Sequence, residues 1–124
     1  MSGRSIFNNY GKLIDKIYLL YKYTPNFFIQ LLELIFSKTK LSFLFRYFEL
    51  KTNSKKVGEN IYISKQVILK NLKYFVCGKN LSIHEFCYID AAGGIEIGDN
   101  VSIAHNCSLV SFEHTWENLE IPIK

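Results

Sequence analysis

Cysteine is scarce in this sequence of 124 residues, which has three cysteines and no C-x-x-C pair. An odd number leaves one thiol over in any disulfide framework, and common structural zinc sites use paired cysteines. The three histidines, His84, His105 and His114, are separated by 21 and 9 residues, a spacing that does not suggest a shared metal. These features predict reduced thiols and no metal centre.

The sequence also lacks an apolar run long enough to span a membrane. The most apolar stretch, residues 17–36, is interrupted by five residues: Lys22, Pro25, Asn26, Gln30 and Glu33. A spanning helix needs about 20 predominantly apolar residues. The first residues, MSGRSIFNNYGKLIDK, have no apolar core followed by small residues and do not resemble a secretory signal. We therefore expect a cytoplasmic protein, or one bound peripherally at the inner face of the cytoplasmic membrane.

Acidic residues are few in the first part of the chain. Residues 1–56 hold three of them against ten lysines and arginines, a net charge of +7. Residues 57–124 hold eight acidic residues against five lysines, a net charge of −3. This asymmetry predicts two segments with different roles, divided after residue 56. Since the basic residues are dispersed and no nucleic-acid-binding motif occurs, nucleic acid is not expected as a partner.

What the sequence does contain is an internal repeat of 20 residues. Gly58, Gly78 and Gly98 begin three similar lines, GENIYISKQVILKN, GKNLSIHEFCYIDA and GDNVSIAHNCSLVS. In each line an asparagine follows two residues after the glycine, and apolar residues recur six positions apart. These apolar positions are Val57, Ile63 and Leu69, then Cys77, Ile83 and Ile89, then Ile97, Ile103 and Leu109. The spacing matches neither a helix nor a single strand, whose periods are about 3.6 and 2.

A spacing of six residues instead predicts short strands joined by corners. Glycine and asparagine tolerate positive φ, so we expect both to adopt it at the corners. Three strands would form one coil, and successive coils would stack about 4.8 Å apart as a solenoid. In this arrangement Cys77, Cys87 and Cys107 are expected to fill buried core space.

The segment IEIGDNVSIAHNCSLV resembles the hexapeptide-repeat acyltransferases, whose fold is a left-handed parallel β-helix. The resemblance covers residues 57–124 and is closest to bacterial sugar and polysaccharide O-acetyltransferases. It implies a mainly β fold of about three coils, preceded by the α-helical segment 1–56. It also implies acetyl-CoA as co-substrate, no metal, and assembly as a homotrimer.

His114 stands where the repeat stops, at the start of a segment, SFEHTWENLEIPIK, with the composition of a loop. In the family, a histidine in an H-x-x-x-N-x-x-I-P-I-like context is the catalytic base, and His114, Asn118 and Ile121–Ile123 match it. Histidine suits this role because it exchanges protons near neutral pH. Glu113 is a candidate to orient His114, and Trp116 either stacks on a ligand or packs the loop.

Two further residues are candidate contacts to the acceptor sugar. Asp90 lies in YIDAAGG, near the place where relatives carry an acidic acceptor-binding residue, and is otherwise a solvated corner carboxylate. His84 follows an inward isoleucine near the place of a polar acceptor contact, and is otherwise solvent-facing. His105 is expected to be an exposed corner residue without chemical function.

The segment from residue 6 to 50 is rich in Phe, Tyr, Leu and Ile, and reads as three apolar, basic helical stretches. Thr24 and Pro25 are expected as the cap and first turn of the second stretch. Such helices are typical of peripheral contact with an anionic membrane surface. The alternative is packing on the coils or on a neighbouring subunit.

Taken with the resemblance, the sequence predicts transfer of an acetyl group from acetyl-CoA to a sugar hydroxyl of a bacterial surface polysaccharide or its precursor. His114 would act as general base in a direct transfer. Relatives continue with more coils after the I-P-I motif, so we also expect that the chain is a truncated form. The alternatives are an inactive β-helix protein with a membrane-binding or oligomer-packing front, and an N-acetyltransferase of amino sugars.

Overall fold

The structure, a computed structural model, describes residues 3–39 and 41–114, with side chains from residue 6 onward. In these residues three helices precede nine short strands. The helices are α1 (Gly3–Tyr23), α2 (Asn26–Phe36) and α3 (Ser42–Asn53). The strands are β1 (Lys56–Val57), β2 (Tyr62–Ile63), β3 (Ile68–Lys70), β4 (Phe75–Cys77), β5 (Ser82–Ile83), β6 (Tyr88–Asp90), β7 (Ile95–Ile97), β8 (Ser102–Ile103) and β9 (Ser108–Val110). A 3-10 turn, Leu72–Tyr74, joins β3 to β4.

The strands form three parallel sheets, in the orders β1-β4-β7, β2-β5-β8 and β3-β6-β9. Paired residues are 20 positions apart, as in Ile63↔Ile83 and Leu69↔Ile89. The chain therefore visits the three sheets in turn and adds one strand to each with every repeat. We call each set of three successive strands a coil. The predicted 20-residue register and the helical segment followed by a parallel β region are confirmed.

The coils share an aliphatic interior. Five of its residues have no exposed surface: Ile61, Ile63, Leu81, Ile83 and Ile89. Burial of one such side chain contributes about 1.5–3 kcal/mol, so the stacked coils hold one another together. Cys77 and Cys87 belong to this interior, and burial raises the pKa of the Cys77 thiol. Cys107, in the third coil, is only partly buried, so the prediction of three buried thiols is wrong for this residue.

The corner after the first strand of each coil shows how the repeated Gly-x-Asn is used. Asn60, Asn80 and Asn100 have φ between 59° and 60°. Their amides form a ladder, with Nδ2 of Asn60 donating to Asn80 Oδ1 at 2.7 Å and Nδ2 of Asn80 donating to Asn100 Oδ1 at 2.6 Å. The expectation that the repeated glycines also adopt positive φ is wrong, since Gly94 is the described glycine that does so. Gly58 is needed for close approach, because a Cβ there would lie 2.4 Å from the carbonyl of Gly78.

Helix α3 covers the first coil. Its buried side chains include Phe43, Tyr47, Phe48 and Leu50, and the rings of Phe43 and Tyr62 of β2 are 5.9 Å apart. Arg46 Nε donates to the carbonyl oxygen of Ile63 at 3.0 Å, which ties the helix to β2. An uncovered strand edge promotes aggregation, and this helix protects the coil at that end.

Helices α1 and α2 lie outside α3. Phe7 and Ile14 of α1 are buried, and Phe7 meets Tyr47 edge to face at 5.0 Å. Helix α2 begins at Asn26 without a side-chain cap, because the Thr24 hydroxyl donates instead to the carbonyl of Leu20 in α1 at 2.7 Å. The expected capping role of Thr24 is therefore wrong. None of the helices in the described residues has the length and apolar character needed to cross a bilayer.

Candidate functional site

The site is built at the third corner, the turn that follows the third strand of each coil. Asp90, the last residue of β6, is 5% exposed. Its Oδ1 accepts from Asn71 Nδ2 at 2.6 Å and from the Ala92 backbone N–H at 3.1 Å. The Tyr88 hydroxyl approaches Oδ2 at 3.5 Å. Asp90 is thus a buried carboxylate that organises this corner, which differs from the solvated alternative considered from sequence.

The corner holds the segment that leads to His114. Ser111 follows β9 directly, and its backbone N–H and hydroxyl both donate to the carbonyl oxygen of Asp90 at 3.1 Å. The Ser111 hydroxyl also accepts from the Gly93 backbone N–H at 3.0 Å. Three hydrogen bonds therefore attach the start of this segment to the preceding coil. Sequence analysis missed Ser111, although the 20-residue register pairs it with Ala91 in that corner.

His114 lies three residues beyond this attachment and is exposed. Its ring meets the ring of Phe112 edge to face, with centroids 6.0 Å apart. Within the described residues the imidazole makes no hydrogen bond. Glu113 is also exposed. Trp116 and Asn118, the other predicted supporting residues, lie outside the described residues.

Gly93 sets the distance between the corner and the His114 segment. A Cβ at this position would lie 1.9 Å from the carbonyl oxygen of Ser111. No side chain fits there unless one of the two backbone segments moves. The glycine pair Gly93-Gly94 therefore has two uses: Gly93 permits close approach, and Gly94 takes the positive φ of 91°.

Substitution of Gly93 by alanine is expected to displace the segment from Ser111 to His114 and to lower the free energy of unfolding by about 1–3 kcal/mol. The chain has three histidines, so histidine ring signals in NMR spectra report the displacement directly. We expect the His114 signals to move while those of His84 and His105 stay. Gly11→Ala is the matched control, because a Cβ there has no neighbour within 4 Å. Unmoved His114 signals in Gly93→Ala would contradict the close approach.

The other predicted acceptor contact, His84, lies at the second corner, between the second and third strands of its coil. The His84 Nε2 atom is 3.4 Å from the hydroxyl oxygen of Ser102. Since His84 precedes β6 and Asp90 ends it, the two residues lie at opposite ends of one strand. Within one chain the structure does not bring them together. His105, at the second corner of the next coil, is exposed as expected.

A charged network at the second corner was not anticipated. The Ser64 hydroxyl donates to the Glu85 carboxylate. This bond is the main reason that the pKa of Glu85 is lowered; its own backbone N–H and the nearby His84 and His105 add to the effect. Phe86 next to it has a φ of 59°, a strained value for an aromatic residue, and leaves its ring 56% exposed.

The lowered pKa of Glu85 predicts a pH dependence of stability. The folded chain favours the ionised carboxylate, so the bond stabilises the fold above the unfolded-state pKa. This contribution disappears as the pH falls through the lower folded-state value. In urea unfolding at a series of acidic pH values, Glu85→Gln should therefore lose less stability on acidification than the wild type. Glu96→Gln, at an exposed position of β7, should keep the wild-type slope. Equal slopes for both variants would exclude the Ser64–Glu85 bond as the cause.

The described residues contain no group of three or more histidine, cysteine, aspartate or glutamate side chains arranged to hold a metal ion. Comparisons with protein-family models, with curated proteins and with solved structures found no match. Any functional assignment therefore depends on the geometry of the third corner and on the sequence pattern that forms it.

Proposed function

We propose that the protein is an acyltransferase of the hexapeptide-repeat type, wound as a left-handed parallel β-helix. In this proposal it transfers an acetyl group from acetyl-CoA to a sugar hydroxyl of a bacterial surface polysaccharide or its precursor. The observation that carries the proposal is the attachment of the His114 segment to the Asp90 corner at the point where the 20-residue repeat ends. An exposed histidine is thereby held beside a rigid scaffold, which is the arrangement that a general base requires.

The chemistry assigned to His114 is direct transfer. A ring nitrogen takes the proton of the acceptor hydroxyl as its oxygen attacks the thioester carbonyl carbon. The new C–O bond forms, the C–S bond breaks, and the thiolate of CoA receives the proton from the imidazolium. No covalent enzyme intermediate is needed, so no serine or cysteine nucleophile is assigned. Acetyl-CoA enters as co-substrate, and we assign it no contacts among the described residues.

The roles of the other site residues differ in kind. Asp90 acts first as a positioning residue, because its Oδ1 is occupied by Asn71 and Ala92 and its backbone carbonyl by Ser111. The proposed contact to the acceptor falls to Oδ2, which the Tyr88 hydroxyl approaches at 3.5 Å. His84 lies at the other end of β6, and its proposed contact with the acceptor therefore requires a large acceptor or an adjoining subunit. A homotrimer with sites between subunits is part of the proposal.

Incubation with acetyl-labelled acetyl-CoA and bacterial saccharide acceptors tests the assignment. We expect label to pass to the saccharide and to be released by mild alkali, as an ester is. Alkali-stable label on an amino sugar would replace O-acetylation by N-acetylation. Absence of transfer to any acceptor, with the fold intact by circular dichroism, would favour the non-catalytic alternative.

A further inference from the structure

Helix α2 exposes many more apolar side chains than a helix on a water-facing surface normally does. Eight of its eleven residues are apolar, yet none of the eleven is buried. The side chains that point outward are large, with Phe27 70%, Leu34 72% and Ile35 60% exposed. A helix on the surface of a soluble domain normally places its apolar face against the core and its polar face in water.

The charged residue of α2 faces the protein instead. Glu33 is partly buried and shares a recess of about 250 Å³ with Ser42, Arg46 and Glu49 of α3. Ile29 and Phe36 share this less exposed side of α2, and the ring of Phe36 stacks on that of Phe45 in α3 with centroids 6.3 Å apart. The other side of the helix leaves Phe27, Phe28, Leu31, Leu34 and Ile35 to the outside. We call these five residues the outer face of α2.

The apolar surface continues beyond α2 into a groove between the three helices. The groove has a volume of about 300 Å³. Its lining is apolar except for the Tyr21 and Thr24 hydroxyls: Ile17, Leu20, Tyr21, Thr24, Ile29, Leu32, Phe36, Leu41, Leu44, Phe45 and Phe48. Leu20 is 71% exposed at its rim, and Leu13 and Ile17 follow on the same side of α1. Patches of this extent on a protein surface mark a binding partner.

The charges around the outer face indicate which partner it is. Lys22 and Lys38 flank α2, are exposed, and form no ion pair within the described residues. The three acidic residues among residues 1–56 have other neighbours. Glu33 and Glu49 line the recess with Arg46, and Asp15 pairs with Lys51 at 3.2 Å. A second copy of the chain, docked face to face, would bring like charges together. An anionic lipid surface would be complementary to them.

We propose that the outer face of α2 docks on an anionic lipid bilayer, with α2 lying in the plane of the interface. Its eleven residues measure about 16 Å along the axis, half the thickness of a hydrocarbon core, so the helix can enter the interface but cannot cross it. The phenylalanine, leucine and isoleucine side chains enter the acyl boundary, while Lys22 and Lys38 meet the headgroups. The groove next to α2 extends the apolar contact to α1.

Vesicle flotation of the full chain tests this proposal. We expect strong binding to vesicles that combine phosphatidylcholine with phosphatidylglycerol, and weak binding to phosphatidylcholine alone. Phe28→Ser/Ile35→Ser should lower binding at least ten-fold, because both side chains leave the acyl boundary. The matched control is Phe86→Ser/Ile68→Ser, which removes the same residue types, 56% and 52% exposed, from the coils and should bind as the wild type does.

A second pair of variants separates charge from apolar contact. Lys22→Gln/Lys38→Gln should lower binding to the anionic vesicles about five-fold for each lysine and barely change binding to phosphatidylcholine. Lys65→Gln/Lys79→Gln, at exposed positions of the coils, carries the same change in net charge and should have little effect. Two outcomes would overturn the proposal. One is the same loss in both serine variants. The other is that the wild-type protein does not bind the vesicles, while Phe28→Ser/Ile35→Ser loses an oligomeric state that the wild type has. That result would assign the outer face of α2 to a second copy.

Discussion

Replacement of His114 by alanine is expected to lower acetyl transfer by about 100- to 10,000-fold, the range typical for loss of a general base. The acceptor hydroxyl would then lose its proton to water instead of to a positioned imidazole. His114 is exposed and its one described side-chain contact is with Phe112, so folding and thermal stability should change little. Release of the CoA thiol in the presence of a saccharide acceptor measures the effect.

His105→Ala is the matched control, since it removes the same side chain from an exposed corner of the same coil. It should retain wild-type transfer. If His114→Ala keeps wild-type activity, the proposed mechanism is wrong even though the fold stands. If both variants lose activity equally, the loss does not report a base at the third corner.

Replacement of Gly58 by alanine is expected to destabilise the fold by about 3 kcal/mol. The added Cβ would lie 2.4 Å from the carbonyl carbon and oxygen of Gly78 and 2.7 Å from the Lys79 nitrogen. All of these atoms belong to backbone, so relief requires the first two coils to move apart. Urea unfolding followed by circular dichroism measures the loss.

Gly98→Ala is the matched control, because this glycine occupies the same place in the repeat but a Cβ there meets no atom within 4 Å. We expect its free energy of unfolding to stay within about 0.5 kcal/mol of the wild type. Equal stability of the two variants would show that the first and second coils do not approach each other at this corner.

The register of the coils could be predicted from sequence because parallel strands of one sheet align equivalent residues. Apolar positions six residues apart, repeated every 20 residues, share one interior only if Ile63, Ile83 and Ile103 align across adjacent strands. The asparagine corners were also predictable, since asparagine tolerates positive φ. The role of Gly58 was not, because the distance between two backbones 20 residues apart depends on how closely the coils stack. The positive φ of Phe86 was missed for a related reason: the corner geometry overrides the preference of an aromatic residue.

The orientation of α2 could not be predicted from its own residues. The sequence shows an apolar helix with polar residues on one side, and that pattern alone favours burial of the apolar side. In the structure the side of α2 towards α3 is mixed: Phe36 stacks on Phe45, and Glu33 shares a recess with Arg46 and Glu49. The contact between α2 and α3 determines which side of α2 faces outward, and the sequence of α2 alone does not contain that contact.

At the candidate site, the position of His114 follows from the point where the repeat ends, and its role as a base remains a prediction. The attachment through Ser111 was missed because serine is common in corners and carries no signal of its own. Asp90 was singled out for its charge, but its described contacts are structural. Its Oδ1 accepts a hydrogen bond from Asn71, 19 residues earlier, which sequence inspection had no reason to pair with it.

The cap formed by α3 has a consequence for how the protein is made. Within the described residues each strand of the second and third coils pairs with the strand 20 residues earlier, so no coil waits for a distant part of the chain. The helical segment leaves the ribosome before the coils and closes one end of the stack. Each later coil can then pair with the preceding coil, which is already folded, as it emerges from the ribosome. Assembly of the strands thus has a direction, from the capped coil towards the coil that holds the His114 segment, and it can keep pace with translation.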